Sequence, residues 1–119
     1  MSYLFLEYPK CSTCQKAKAW LDSHNIVYED RHIVENRPTA IELKEWVKRS
    51  GQPLKSFFNT SGLLYKSLEL KDKLPAMSED DQIALLATNG MLVKRPLVVG
   101  ENFVLTGFKP DMWASVLFN

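Results

Sequence analysis

An α/β fold with a four-stranded mixed sheet is predicted by three observations on the sequence. The opening third reads strand, helix, strand. The middle of the chain carries helical patterns, and the part after Gly90 reads as two strands joined by a tight turn, followed by a helix. With 119 residues, of which 45% are hydrophobic and 24% charged, the chain is long enough for one core and short for two ordinary domains. One domain spanning 1–119 is therefore expected, with a core from about 1–34 and 91–119 and a helical insertion over about 35–90.

Each element has a local cause. "YLFLE" at 3–7 is a short apolar run stopped by Pro9, which suits a buried strand. From Ser12 to about His24, the residues Ala17, Trp20, Leu21 and His24 recur at helical spacing while Gln15, Lys16, Lys18 and Asp22 fall elsewhere, giving an amphipathic helix. "NIVYEDRHI", with Ile26, Val27 and Tyr28, is a second strand ending at Ile33. Thr39 and Glu42 form a capping-box pattern ahead of Leu43, Trp46 and Val47, and Gly51 and Pro53 end that helix. Two short apolar clusters flank the "NTSG" turn at 59–62, and Ser78 with Asp81 repeats the capping-box spacing. "RPLVVGENFVLTGF" is a hairpin around "GEN", and "KPDMWASVLF" is a terminal helix. This order is that of a thioredoxin-like fold, in which Pro96 stands where a cis proline faces the redox site. Trp20, Trp46 and Trp113 lie on apolar helical faces and are expected in the core.

Composition narrows the function classes. Fifteen Lys+Arg against fourteen Asp+Glu leave a formal charge of +1, so no global field gathers nucleic acid or an anionic membrane. The start "MSYLFLEYPK" lacks a basic leader and has only a short apolar run, which predicts neither a signal peptide nor a membrane span and hence a cytoplasmic location. In a reducing compartment the chain's two cysteines are poor candidates for a structural staple.

Those cysteines, Cys11 and Cys14 in "YPKCSTCQKAKAW", admit three readings. A structural zinc site needs about four ligands, and only His24 and His32 could be added, His24 as a partly buried packing residue and His32 within the second strand. Two packed, inert thiols are the bland alternative. Redox chemistry is favoured by a C-x-x-C beside a strand–helix–strand unit. At a helix start, unpaired backbone N–H groups and the positive end of the helix dipole stabilise a thiolate, which makes Cys11 the nucleophile. Cys14, one turn further, can attack a mixed disulfide formed on Cys11 and acts as the resolving thiol. Lys10 and Lys16 can add positive charge nearby.

The chain also resembles the arsenate reductase (ArsC)-like family, which includes the Spx transcriptional regulators. The resemblance rests on "YPKCSTCQKAKAWL", "FFNTSGLLYKSLEL", "KRPLVV" and "LTGFKPDMW" in this order and covers nearly the whole chain. It implies a thiol-dependent reductase of the family's uncharacterised reductase-like branch, with no bound cofactor and with glutathione or glutaredoxin as reductant. Cys11 falls on the family's catalytic cysteine and Arg95 on an arginine that holds an oxyanion beside it. Lys10, Ser12, Asn59, Pro96 and Lys109 are assigned to binding a small thiol or oxyanion substrate. Asn59 and Lys109 stand where an arsenate-reducing pattern has two further arginines, and Glu7 where it has a histidine. Asn carries no charge and Lys lacks the planar fork of Arg, so the resemblance implies weak handling of arsenate. The alternative is an Spx-like redox regulator in which a Cys11/Cys14 switch governs binding to RNA polymerase, at the C-terminal domain of its α-subunit, without direct contact to nucleic acid.

Overall fold

The computed structural model describes residues 3–118. Four strands, β1 (Tyr3–Glu7), β2 (Tyr28–His32), β3 (Leu97–Val99) and β4 (Val104–Thr106), form one sheet in the order β2-β1-β3-β4. β1 runs parallel to β2 and antiparallel to β3, and β4 is antiparallel to β3, so the sheet is mixed and the fold thioredoxin-like. Among the described residues six α-helices accompany it: α1 (Ser12–Ser23), α2 (Ala40–Ser50), α3 (Leu63–Ser67), α4 (Leu70–Lys73), α5 (Glu79–Leu86) and α6 (Pro110–Leu117).

Alternation along β1 assigns its two faces. Phe5 packs with Ala17 and Leu21 of α1, Val98, Leu105 and Trp113 of α6. Leu6 turns the other way, into a core with Ile33, Leu43, Trp46, Phe57, Phe58, Leu86 and Leu97 built largely by the segment between β2 and β3. Trp46 and Trp113 are core residues, whereas Trp20 is only half-buried. His24 departs from the sequence reading: it caps the C-terminus of α1 and is exposed, because the helix ends there and leaves its ring tilted against those of Trp20 and Phe118 at the surface.

Caps set the element ends. Thr39 accepts from the Glu42 amide and Glu42 accepts in return from the Thr39 amide, completing the capping box, and Gly51 stops α2 at φ 66°, where a glycine has no Cβ to crowd. The expected second box is only half present, since Ser78 accepts from the Asp81 amide but no bond returns from the shorter Asp81 side chain. Glu42 also receives two bonds from Arg31 of β2, at 2.7 and 2.8 Å, tying α2 to the sheet edge. That guanidinium holds the Glu42 carboxyl at about 2.

The segment 54–93 folds back toward the start of α1, so that its residues line a cleft together with Cys11. A 3-10 turn at Leu54–Phe57 leads to a bridge between Phe58 and Val93, and the Asn59 amide donates to the Leu92 carbonyl at 2.8 Å. These bonds hold the "NTSG" turn against residues 91–95, immediately before β3.

Candidate active site

Cys11 is the N-cap of α1. Its amide donates to the Tyr8 carbonyl at 2.9 Å, and its sulfur accepts from the Cys14 amide at 3.3 Å. A thiol in this place does what a serine hydroxyl or an aspartate carboxylate does at other helix starts: it satisfies an orphan N–H with its own lone pair, so the backbone is arranged for a sulfur anion. Cys11 is partly exposed while Cys14 is fully buried, and neither is in a disulfide. Burial, with the neighbouring Cys11 thiol, pushes Cys14 up to about 12.

Cys11 opens onto a cleft of about 1080 Å3 whose walls come from separate parts of the chain. Asn59, Arg95 and Lys109 line it with Cys11. Cys14 lies behind the wall, Pro96 is buried, and Lys10 and Ser12 are exposed residues that do not line the cleft. Arg95 follows the Phe58–Val93 bridge, and the Arg95-Pro96 peptide is cis. The Arg95 guanidinium lies over the Tyr8 ring, 5.4 Å from its centroid, and its Nε is buried with no hydrogen-bond partner. A desolvated guanidinium nitrogen without an acceptor is costly by itself and is relieved by an anion. Lys109 is the N-cap of α6, with its carbonyl accepting from the Trp113 amide at 2.9 Å.

Three lining or supporting residues lie outside the set that sequence reasoning finds. Tyr8 carries both the Cys11 amide and the Arg95 guanidinium, and Lys55 and Lys94 add charge to the cleft. Lys94 adjoins Arg95 in "KRPLVV", a weak signal, whereas Lys55 lies in no motif. His32, at the end of β2, accepts from the Val34 and Glu35 amides through Nδ1 and packs edge-on against Tyr8, a supporting role. Among the described residues no group of three or more His, Cys, Asp and Glu side chains is placed to hold a metal.

Glu7, the last residue of β1, faces α1 on the Phe5 side of the sheet, buried to 5% exposure with its Oε1 unpartnered. Burial first, and then the Asp30 carboxyl, raise it to about 7, with Lys18 and Gln15 of α1 acting in the opposite direction. Because its folded value lies above the ordinary one of 4.5, the native state holds a proton that the unfolded chain has lost. Stability is therefore expected to fall as pH rises from about 4.5 to 7. Glu7→Gln should flatten that fall and raise stability at pH 8 by about 2 kcal/mol, measured by urea unfolding across pH. An unchanged pH profile would show that the Glu7 carboxyl ionises freely in the native state.

Comparison with known proteins places these features in a family. The ArsC family model matches residues 6–116. A crystal structure described as an ArsC family related protein from Bacteroides fragilis superposes with a TM-score of 0.94 at 63% identity, covering 98% of each chain. The uncharacterised protein YusI of Bacillus subtilis is 51% identical over 113 residues, 95% of this chain and 96% of its own. More distant are an arsenate reductase from Vibrio cholerae, with a TM-score of 0.82 at 27% identity over 99% of this chain and 97% of that one, and the global transcriptional regulator Spx of Staphylococcus haemolyticus, 32% identical over 87% of this chain and 77% of its own. Matched from the first strand to the last helix, and with its cysteine and arginine lining one cleft beside a cis Arg95-Pro96 peptide, the chain belongs to the ArsC family.

Proposed function

We propose that the protein is a cytoplasmic thiol–disulfide oxidoreductase that uses glutathione or a glutaredoxin as reductant, with Cys11 as nucleophile, Cys14 as resolving thiol and Arg95 as the anion-holding group. The observation that carries this reading is the pairing of a helix-capping, accessible Cys11 with a buried Cys14 at the mouth of a cationic cleft. The Cys11 thiolate attacks one sulfur of a disulfide, the S–S bond breaks, a mixed disulfide forms on Cys11 and one thiolate leaves with the electron pair. Cys14 then attacks the Cys11 sulfur as its proton passes to the departing sulfur, which releases the second thiol and leaves Cys11 and Cys14 joined and oxidised by two electrons. Two glutathione thiols restore them, becoming glutathione disulfide. Held near 12 until that step, Cys14 does not compete with Cys11 for the first attack.

Against a regulator of the Spx kind stands the cleft itself, since a redox switch needs no volume beside its thiols for a ligand. The test is turnover of a model disulfide with glutathione, run beside capture of the C-terminal domain of the RNA polymerase α-subunit. Turnover that disappears in Cys11→Ser supports the enzyme. Stoichiometric capture without turnover would replace it with the regulator.

A further inference from the structure

The charge around the cleft exceeds what a small oxyanion can use. Lys55, Lys94, Arg95 and Lys109 all line it and no aspartate or glutamate does, in a chain whose total charge is only +1. Every ion pair formed by the described residues lies elsewhere, and none of these four cations has a carboxylate of those residues within ion-pair distance. The four come from different walls: Lys55 from the 3-10 turn at Leu54–Phe57, Lys94 and Arg95 from the strand approach, and Lys109 from the start of α6. A tetrahedral anion spans a few ångströms and cannot touch all of these walls in a cleft of about 1080 Å3, a size at the upper end of small-molecule sites.

Lys94 is held in its place by the backbone. Its amide donates to the Phe57 carbonyl at 2.8 Å, and its side chain crosses Gly107 so closely that a Cβ there would lie 3.2 Å from the lysine Cε. Gly107 has φ +70°, so the same residue type serves both the backbone turn and the passage of the lysine. Unpaired cations in a concave wall focus the field on an incoming anion.

We propose that Lys55 and Lys94 form a second, carboxylate-binding subsite that makes the cleft selective for small peptide disulfides carrying carboxylates remote from the sulfur. This rests on the oxidoreductase reading for its chemistry but not for its binding. Cys11 takes the sulfur and Arg95 the nearest anionic group, while Lys55 and Lys94 take a carboxylate further along the same molecule. Lysine suits that task, because a flexible point charge tolerates the several positions a peptide carboxylate can adopt.

Two measurements test it. In the first, with dithiothreitol, an uncharged dithiol, as the reductant and the uncatalysed exchange subtracted, kcat/KM is compared for glutathione disulfide, which is anionic, and for bis(2-hydroxyethyl) disulfide, which is neutral, in the wild type and in Lys55→Gln/Lys94→Gln. The double variant is expected to lose about tenfold or more on the anionic substrate, mainly through KM, and to keep its rate on the neutral one. In the second, binding of S-methylglutathione, which cannot react, is measured by calorimetry in both proteins at low and high salt. The double variant should bind it about tenfold more weakly, with a shallower salt dependence. Equal losses on both disulfides, or S-methylglutathione binding that is undetectable in the wild type or unchanged in the variant, would overturn the subsite. Binding of only an acidic cysteine peptide, and not of S-methylglutathione, would overturn the small-molecule assignment. If neither disulfide is turned over but S-methylglutathione binding is weakened as stated, the subsite stands and the oxidoreductase reading falls.

Discussion

Replacing Cys11 with serine should reduce disulfide turnover by about a thousandfold or more. The substitution keeps an N-cap side chain, since a serine oxygen accepts from the same backbone position, so the helix start and the fold are expected to survive. What is lost is the nucleophile: a hydroxyl at the head of α1 has no adjacent base to deprotonate it, whereas a thiol becomes an anion far more readily. Cys14 cannot substitute, because it is fully buried and pushed up to about 12. Circular dichroism on the variant separates lost chemistry from lost folding. A Cys11→Ser protein that retains a tenth of wild-type turnover would assign the first attack to another group.

Arg95→Ala should lower kcat/KM by about a hundredfold on an anionic disulfide, the magnitude typical of removing one preorganised donor to a developing or bound anion. Its guanidinium is already partly desolvated over Tyr8 and has an unpartnered Nε, so binding an anion there requires little further dehydration. Arg95→Lys should recover only part of the loss, since the charge returns without the planar fork. Arsenate reduction should be poor in the wild type for the reason visible at the other two positions, where neutral Asn59 and the exposed Lys109 share the cleft with Arg95. Efficient arsenate turnover that collapses in Arg95→Ala would show that the single arginine is enough for an oxyanion. Wild-type rates on an anionic disulfide in Arg95→Ala would remove Arg95 from the site.

Which parts of this arrangement can be read from the sequence follows from how local their causes are. The opening strand–helix–strand unit and α2 are legible because their ends are written in neighbouring residues: Pro9, the capping box of Thr39 and Glu42, and Gly51. The stretch from Leu54 to Ala76 is legible only as helical, because it breaks into a 3-10 turn, two α-helices of five and four residues and another 3-10 turn, too short for any periodicity to develop. Cys11 and Arg95 stand in motifs that carry a mechanism. Lys55 stands in none and Lys94 only beside Arg95 in "KRPLVV", since a surface lysine looks alike in sequence whether it faces solvent or a cleft, and it is the Phe58–Val93 bridge with its flanking backbone bonds that brings those two segments together. Glu7 illustrates the reverse case. Its identity is visible in the sequence as a departure near the thiol, yet its surroundings, burial against α1 with Asp30 and Lys18 as charged neighbours, depend on the strand register.

The proposed division of labour between the two thiols is decided by trapping the covalent intermediate. Cys14→Ser protein is mixed with glutathione disulfide, quenched in acid and digested, and the glutathionylated peptide is identified by mass spectrometry. One glutathionyl group per chain is expected, on Cys11, accumulating because the resolving thiol is gone, and disappearing when excess glutathione is added. An unmodified Cys11, or a glutathionyl group on Cys14 in the reciprocal Cys11→Ser protein at a comparable rate, would contradict it.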